Sequence, residues 1–184
     1  MPLTGRQVHG LIPGSASQKG VSLVLAQLVD SGLVDVTPAG RAGLYQLNRD
    51  HVAVDAVLAL VDLRGKLFQR IRQHLTGWTT PPLAAAVFGS AARGDGGPDS
   101  DIDLFVVRPP LISDDDLSWA RDVDDLQTQV HRWSGNPCSL IQASPAQVQA
   151  MIKRDEPIVP SLRRDALALF GCDILGTDSR KVKE

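Results

Sequence analysis

The chain has 184 residues, 43% of them hydrophobic, with 19 Lys and Arg against 21 Asp and Glu and a net charge of −2. That length holds one ordinary domain or two small ones, and the balanced charge implies neither whole-chain nucleic-acid affinity nor disorder. Cys138 and Cys172 stand far apart with no metal-ligand spacing, as reduced thiols of a cytoplasmic protein would. Met1-Pro2-Leu3-Thr4-Gly5-Arg6 is no signal peptide and no run is long enough to span a bilayer, so no membrane partner is expected.

Thr4-Gly5-Arg6-Gln7 has the form of a capping box and opens a short helix to about Ile12. Pro13-Gly14 breaks it. Ser15 and Ser17 are candidate N-caps for a second helix from Gln18 to about Asp30, with Val21, Leu25, Leu28 and Val29 on its apolar face. Gly32 is a C-terminal stop. Two short strands follow, Leu33–Val36 and Leu44–Leu47, around a Gly-rich connection that holds Arg41.

Helix, tight turn, helix and hairpin resemble a winged helix-turn-helix module, expected over residues 1–50, except that such modules carry a helix before the pair. On that resemblance Gln18, Lys19 and Ser22 would meet DNA bases and Arg41 would reach DNA from the wing. Residues 1–50 carry four Lys or Arg and three Asp or Glu, a thin electrostatic case for DNA, and a small docking module fits the same pattern. Asp50 is placed to cap one long helix from about His51 to Leu75, expected as a linker over residues 51–76. Its apolar faces suit a homodimer contact or packing on the domain that follows.

From Leu83 the pattern becomes α/β. Leu83–Phe88 reads as a strand, Asp101–Val107 as a second and Pro137–Ala143 as a third. Helices are expected from Asp114 to about Trp133, from Ser144-Pro145 to about Arg154, and from Pro157 to Phe170, ended by Gly171. The tail, 172–184, reads as polar and frayed. The fold class is therefore α/β (α+β), with a small mixed-sheet domain over residues 77–171. His9, His51, His74 and His131 are scattered and read as surface or packing residues. Trp119 and Trp133 read as core packing.

Gly89-Ser90 closes one apolar run, and ten residues later Asp101-Ile102-Asp103 opens another. Strand side chains alternate, so the two aspartates point one way while Ile102 and Leu104 point the other. Two carboxylates on one face repel, and a shared cation relieves them. Hard oxygen donors suit Mg²⁺, which is usually held by carboxylates together with substrate phosphates. A Gly-Ser turn offers close backbone approach, N–H donors and a hydroxyl.

This pattern resembles the nucleotidyltransferases of the DNA polymerase beta superfamily, and within it the minimal nucleotidyltransferase group. The resemblance covers about residues 83–171, including the ending "EPIVPSLRRDALALFG". It implies that Asp101 and Asp103 are metal ligands and catalytic, with Gly89, Ser90 and Arg93 holding the phosphates of an NTP, taken as ATP. Related enzymes carry a third acid on the third strand. Here that strand has none, and Ser139 or Gln142 occupies the place, so the two-ion site is incomplete. The expected reaction is Mg²⁺-dependent transfer of NMP to a hydroxyl acceptor, which in the minimal group is often a helical toxin partner protein. The alternative is a nucleotide-binding transcription regulator with a weak or inactive transferase domain. A plain interaction module needs neither motif.

Overall fold

The computed structural model describes residues 1–12, 16–97, 99–171 and 175, in two compact units, 1–62 and 63–184. Pro13-Gly14, Ser15 and Cys172 lie outside the described residues.

The first unit opens with β1 (Leu3–Thr4), α1 (Gly5–Leu11) and α2 (Gln18–Asp30). The Thr4–Gln7 capping box forms, and Ser17 rather than Ser15 is the described cap, its hydroxyl accepting from Gly20 N–H at 3.0 Å. Then come β2 (Val34–Ala39) and β3 (Ala42–Leu47), in an antiparallel sheet of order β1-β3-β2. Both strands run further than expected, to a two-residue turn at Gly40-Arg41, with Gly40 at φ +62°. Type I′ and II′ turns need that left-handed backbone. Pro38 is tolerated inside β2 because β2 is an edge strand.

The single helix expected from His51 to Leu75 is two helices, α3 (Val54–Val61) and α4 (Leu63–Thr76). The chain leaves helical geometry at Asp62, φ −87° and ψ 9°. α4 belongs to the second unit and buries Phe68, Ile71 and Leu75 in that unit's core, so it is part of that domain's packing.

The second unit continues with β4 (Ala84–Phe88), α5 (Gly89–Arg93), β5 (Ile102–Val107), α6 (Leu117–Ser134), β6 (Cys138–Ala143), α7 (Pro145–Lys153), α8 (Ile158–Asp165) and β7 (Leu167–Gly171). α6 starts three residues later than its Asp run because Asp116 is the cap, accepting from Trp119 N–H at 2.9 Å. The strands form one mixed sheet of order β6-β5-β4-β7, with β5 and β6 parallel and the other pairs antiparallel. One face, with Val87, Leu104 and Val106, packs against α4 and α6, where Ile71, Leu75, Leu126 and Val130 are fully enclosed. The other face carries Phe88, Phe105 and Val107 against Val148 and Leu162 of α7 and α8.

The expected last helix, Pro157 to Phe170, ends at Ala166, where ψ is 128°. Ala166-Leu167-Ala168-Leu169-Phe170 has good helix propensity. In the fold it instead supplies β4 with its second hydrogen-bonded neighbour and buries Leu169. Tertiary demand outweighs propensity differences of a few tenths of a kcal/mol per residue, ~0–0.7 kcal/mol. Of the tail, only Leu175 is described, and it packs against the second cluster. Among the described residues no helix is long and apolar enough to cross a membrane.

Candidate active site

The two halves of the Gly-Ser…Asp-x-Asp motif meet because β4 and β5 are antiparallel neighbours. Phe88, the last residue of β4, pairs with Asp103 near the start of β5. The next residue, Gly89, turns the chain into α5 with φ +66°. A Cβ on Gly89 would stand 2.6 Å from Asp103 Oδ2. Glycine is thus required twice, for the left-handed backbone and for the space.

The connecting loop is pinned by its own short bonds. Ser100 Oγ accepts from Gly97 N–H at 2.9 Å, and Asn136 Nδ2 donates to Ser100 O at 2.9 Å. A Cβ on Gly96 would stand 3.2 Å from Ser90 Oγ, so the loop backbone folds back over Ser90.

Asp101 is exposed and Asp103 half-buried. Burial, and then repulsion from Asp101, hold the Asp103 carboxyl above its ordinary range. The same surroundings push the Cys138 thiol up to about 12, through burial first and then Asp103 and Asp101. Cys138 is therefore a protonated packing residue. The donor set is all hard oxygen, and the strain of two like charges is what a bound divalent cation removes. The two aspartates fit Mg²⁺. Among the described residues no group of three or more His, Cys, Asp and Glu could hold a metal.

Register decides between the two third-strand candidates. Asp103 is the parallel partner of Ser139, which places that hydroxyl beside the carboxylate. Gln142 lies an odd number of residues further on and faces the other way, where its Oε1 accepts from Trp119 Nε1 at 2.6 Å. It is bound to α6 and does not join the aspartates.

Arg93 ends α5 and is engaged by carboxylates. Its Nη1 donates to Asp165 Oδ2 at 2.7 Å and its Nε to Asp95 Oδ2 at 3.0 Å. Asp165 also receives Arg164 Nε at 2.9 Å, and its side chain is only 3% exposed. The Arg164 hydrogen bond, partly opposed by burial and reinforced by Arg93, holds the Asp165 carboxyl below the usual range. This cluster fastens the motif helix α5 to α8.

Sequence reasoning missed a cavity of about 510 Å³. Ser90, Asp101 and the glycines of the loop line one side of it, and Arg64, Lys66 and Arg70 of α4 line the other. Gly89, Arg93 and Asp103 are not among its lining residues. The signal was in the sequence as three cations within seven residues, but it fell in a helix taken as a linker.

The residues expected to meet DNA lie in the first unit. Gln18, Lys19, Ser22 and Arg41 are all exposed, Arg41 at the hairpin tip. Ser22 turns its hydroxyl back to Gln18 O at 2.9 Å. The structure does not gather these residues into a strongly basic surface, since Lys19 is the only cation on α2.

Residues 66–154 match the family model described as "Nucleotidyltransferase domain". The match begins inside α4 and stops before α8 and β7. No curated protein matches the chain. A solved structure described as a crystal structure of a toxin-antitoxin with AMP-PNP is 18% identical, over 57% of this chain and 73% of that one, with a TM-score of 0.39. The Gly89–Asp103 junction falls inside the family match, between two of the three strands that match includes: this chain carries a nucleotidyltransferase domain at residues 66–154.

Proposed function

We propose that the protein binds a nucleoside triphosphate, ATP in the first instance, with Mg²⁺ and transfers its nucleoside monophosphate to a hydroxyl acceptor. The carrying observation is the close approach of Gly89 to Asp103, which brings the Gly-Ser turn against two like-charged carboxylates. Asp101 and Asp103 would hold the metal, and Ser139 would lie next to it. When bound, Mg²⁺ supplies neutralisation of the phosphate oxygens. Gly89 and Ser90 offer N–H donors and a hydroxyl to the phosphate tail. The acceptor oxygen attacks the α-phosphorus, the bond to the bridging oxygen breaks, and pyrophosphate leaves with the electron pair.

The acceptor's proton needs a base, and Ser139 is neutral. A general base is worth ~10²–10⁴ in rate, so nucleotide binding with slow transfer is the expected behaviour of the chain alone. For the acceptor, the likeness of the motif to the minimal group favours a hydroxyl on a helical partner toxin. The test is incubation with labelled NTPs and Mg²⁺, alone and with the product of the neighbouring gene. Asp101→Asn with Asp103→Asn should abolish both metal-dependent binding and label transfer. Equal NTP affinity in that variant would sink the reading.

A second reading is a nucleotide-governed DNA-binding regulator. It is favoured by the order β1-β3-β2 beside the α1–α2 pair, and by a serine where a third acid would stand. Mobility shifts with the gene's own promoter at low salt test it. An unshifted probe, or a shift that survives Lys19→Ala with Arg41→Ala, removes it.

A further inference from the structure

We propose that Arg64 and Arg70 of α4 hold the phosphate tail of the nucleotide, a task for which Arg93 is already committed elsewhere; this rests on the nucleotide-binding reading above.

Three observations combine. The cavity on the loop side of the motif is lined by Ser90 and Asp101, so it adjoins one residue from each half of the motif. Its charged lining is three cations, Arg64, Lys66 and Arg70, against the single carboxylate of Asp101. That excess suits a polyanion, and its size lies within the ~300–1,000 Å³ of small-molecule sites. Its loop wall is Gly94, Gly96 and Gly97, which present backbone rather than side chains.

The arginines are positioned rather than loose. Arg64 Nη1 donates to Ala92 O at 3.3 Å, and its guanidinium rides 5.9 Å from the centre of the Phe68 ring. It also reaches the backbone of Gly94, where a side chain would collide with it. Arg70 lies 6.0 Å from the centre of the Trp133 ring. A guanidinium has five N–H donors, so a single bond to Ala92 O leaves most of the fork for a ligand. Arg93, by contrast, spends its charge on Asp95 and Asp165.

The experiment is calorimetry on the full chain with Mg²⁺, using inorganic triphosphate, ATP and adenosine as probes. Arg64→Gln with Arg70→Gln removes both charges while keeping polar side chains and, since both positions are exposed, the fold, which circular dichroism checks. The expected result is a loss of about tenfold or more per arginine for inorganic triphosphate and ATP, with adenosine unchanged. Arg93→Gln should lower the melting temperature but leave triphosphate affinity within a few-fold of the parent. Unchanged triphosphate affinity in the α4 variant, alongside lost affinity in Asp101→Asn with Asp103→Asn, overturns this inference and spares the nucleotide-binding reading. A parent protein that binds neither ATP nor triphosphate overturns both. Loss of triphosphate affinity in folded Arg93→Gln alone returns the task to Arg93.

Discussion

Gly89 and Asp103 stand so close that a single methyl group on Gly89 would be 2.6 Å from the carboxylate oxygen Oδ2. Gly89→Ala should therefore strike twice. The φ of +66° costs a residue with a side chain ~1–2 kcal/mol, and the methyl must push Asp103 aside. A urea melt should show a loss of about that size, and Mg²⁺-dependent NTP binding should vanish. Ser90→Ala, which brings no such clash, should weaken binding without changing the melt. Full NTP affinity in Gly89→Ala would show that Asp103 can do its work from another position.

Asp101 repels the Asp103 carboxylate, which is half-buried as well. Asp103→Asn keeps the shape and removes the repulsion. The metal-free variant should melt at a higher temperature than the parent, while NTP binding with Mg²⁺ is lost. This is the usual trade between stability and a working site. A lower melting temperature would mean that the carboxylate has a stabilising partner in solution.

Placing an acid on the third strand should have opposite effects at two nearby positions. Ser139→Asp puts a carboxylate beside Asp103 and should raise transfer toward the ~10²–10⁴ range of a general base. Gln142→Asp cannot reach the aspartates. It also removes the acceptor of Trp119 Nε1, at a cost of ~1–3 kcal/mol for the buried donor left behind. Transfer assays and denaturant melts on the pair separate the two. Faster transfer in Gln142→Asp would contradict the register described here.

Asp165 makes the fold sensitive to acid. Arg164 and Arg93 hold its carboxyl below the ordinary value of 3.8, and Arg93 is shared with Asp95. A depressed carboxyl contributes stability that is fully present above its ordinary range and is lost as pH falls through its lowered value. The parent should therefore lose melting temperature on acidification below about pH 4 more steeply than Asp165→Asn. At neutral pH the variant should be the less stable of the two. Parallel acid limbs would mean the cluster contributes nothing to folding.

Legibility in the sequence followed the range of the physics. Caps are local, so Thr4 and Ser144 could be read directly, and so could the Gly-Ser and Asp-x-Asp spacing, whereas Ser17 stood beside Ser15 as a candidate and Asp50 does not cap α3, whose N-cap is Ala53. Strand register is not local. Ser139 and Gln142 both remained candidates because alternation is measured from a partner strand that only the fold supplies. Residues 166–170 are good helix formers, and nothing near them announces that β4 lacks a neighbour. The break at Asp62 had no Gly or Pro to mark it, so α4 looked like half of a linker and its arginines carried no meaning.

The pairing of β4 with β7 joins Ala84 to Gly171 and so closes over most of the second unit. As the ribosome delivers the chain, β4 can zip to β5 early, but its other edge stays bare until residue 171 has emerged. Such distant closure is slow, and an open apolar edge invites pairing between nascent copies. A synthesis pause before the last strand would therefore be a hazard to this protein. Its yield in cells should depend on how quickly the final stretch is translated.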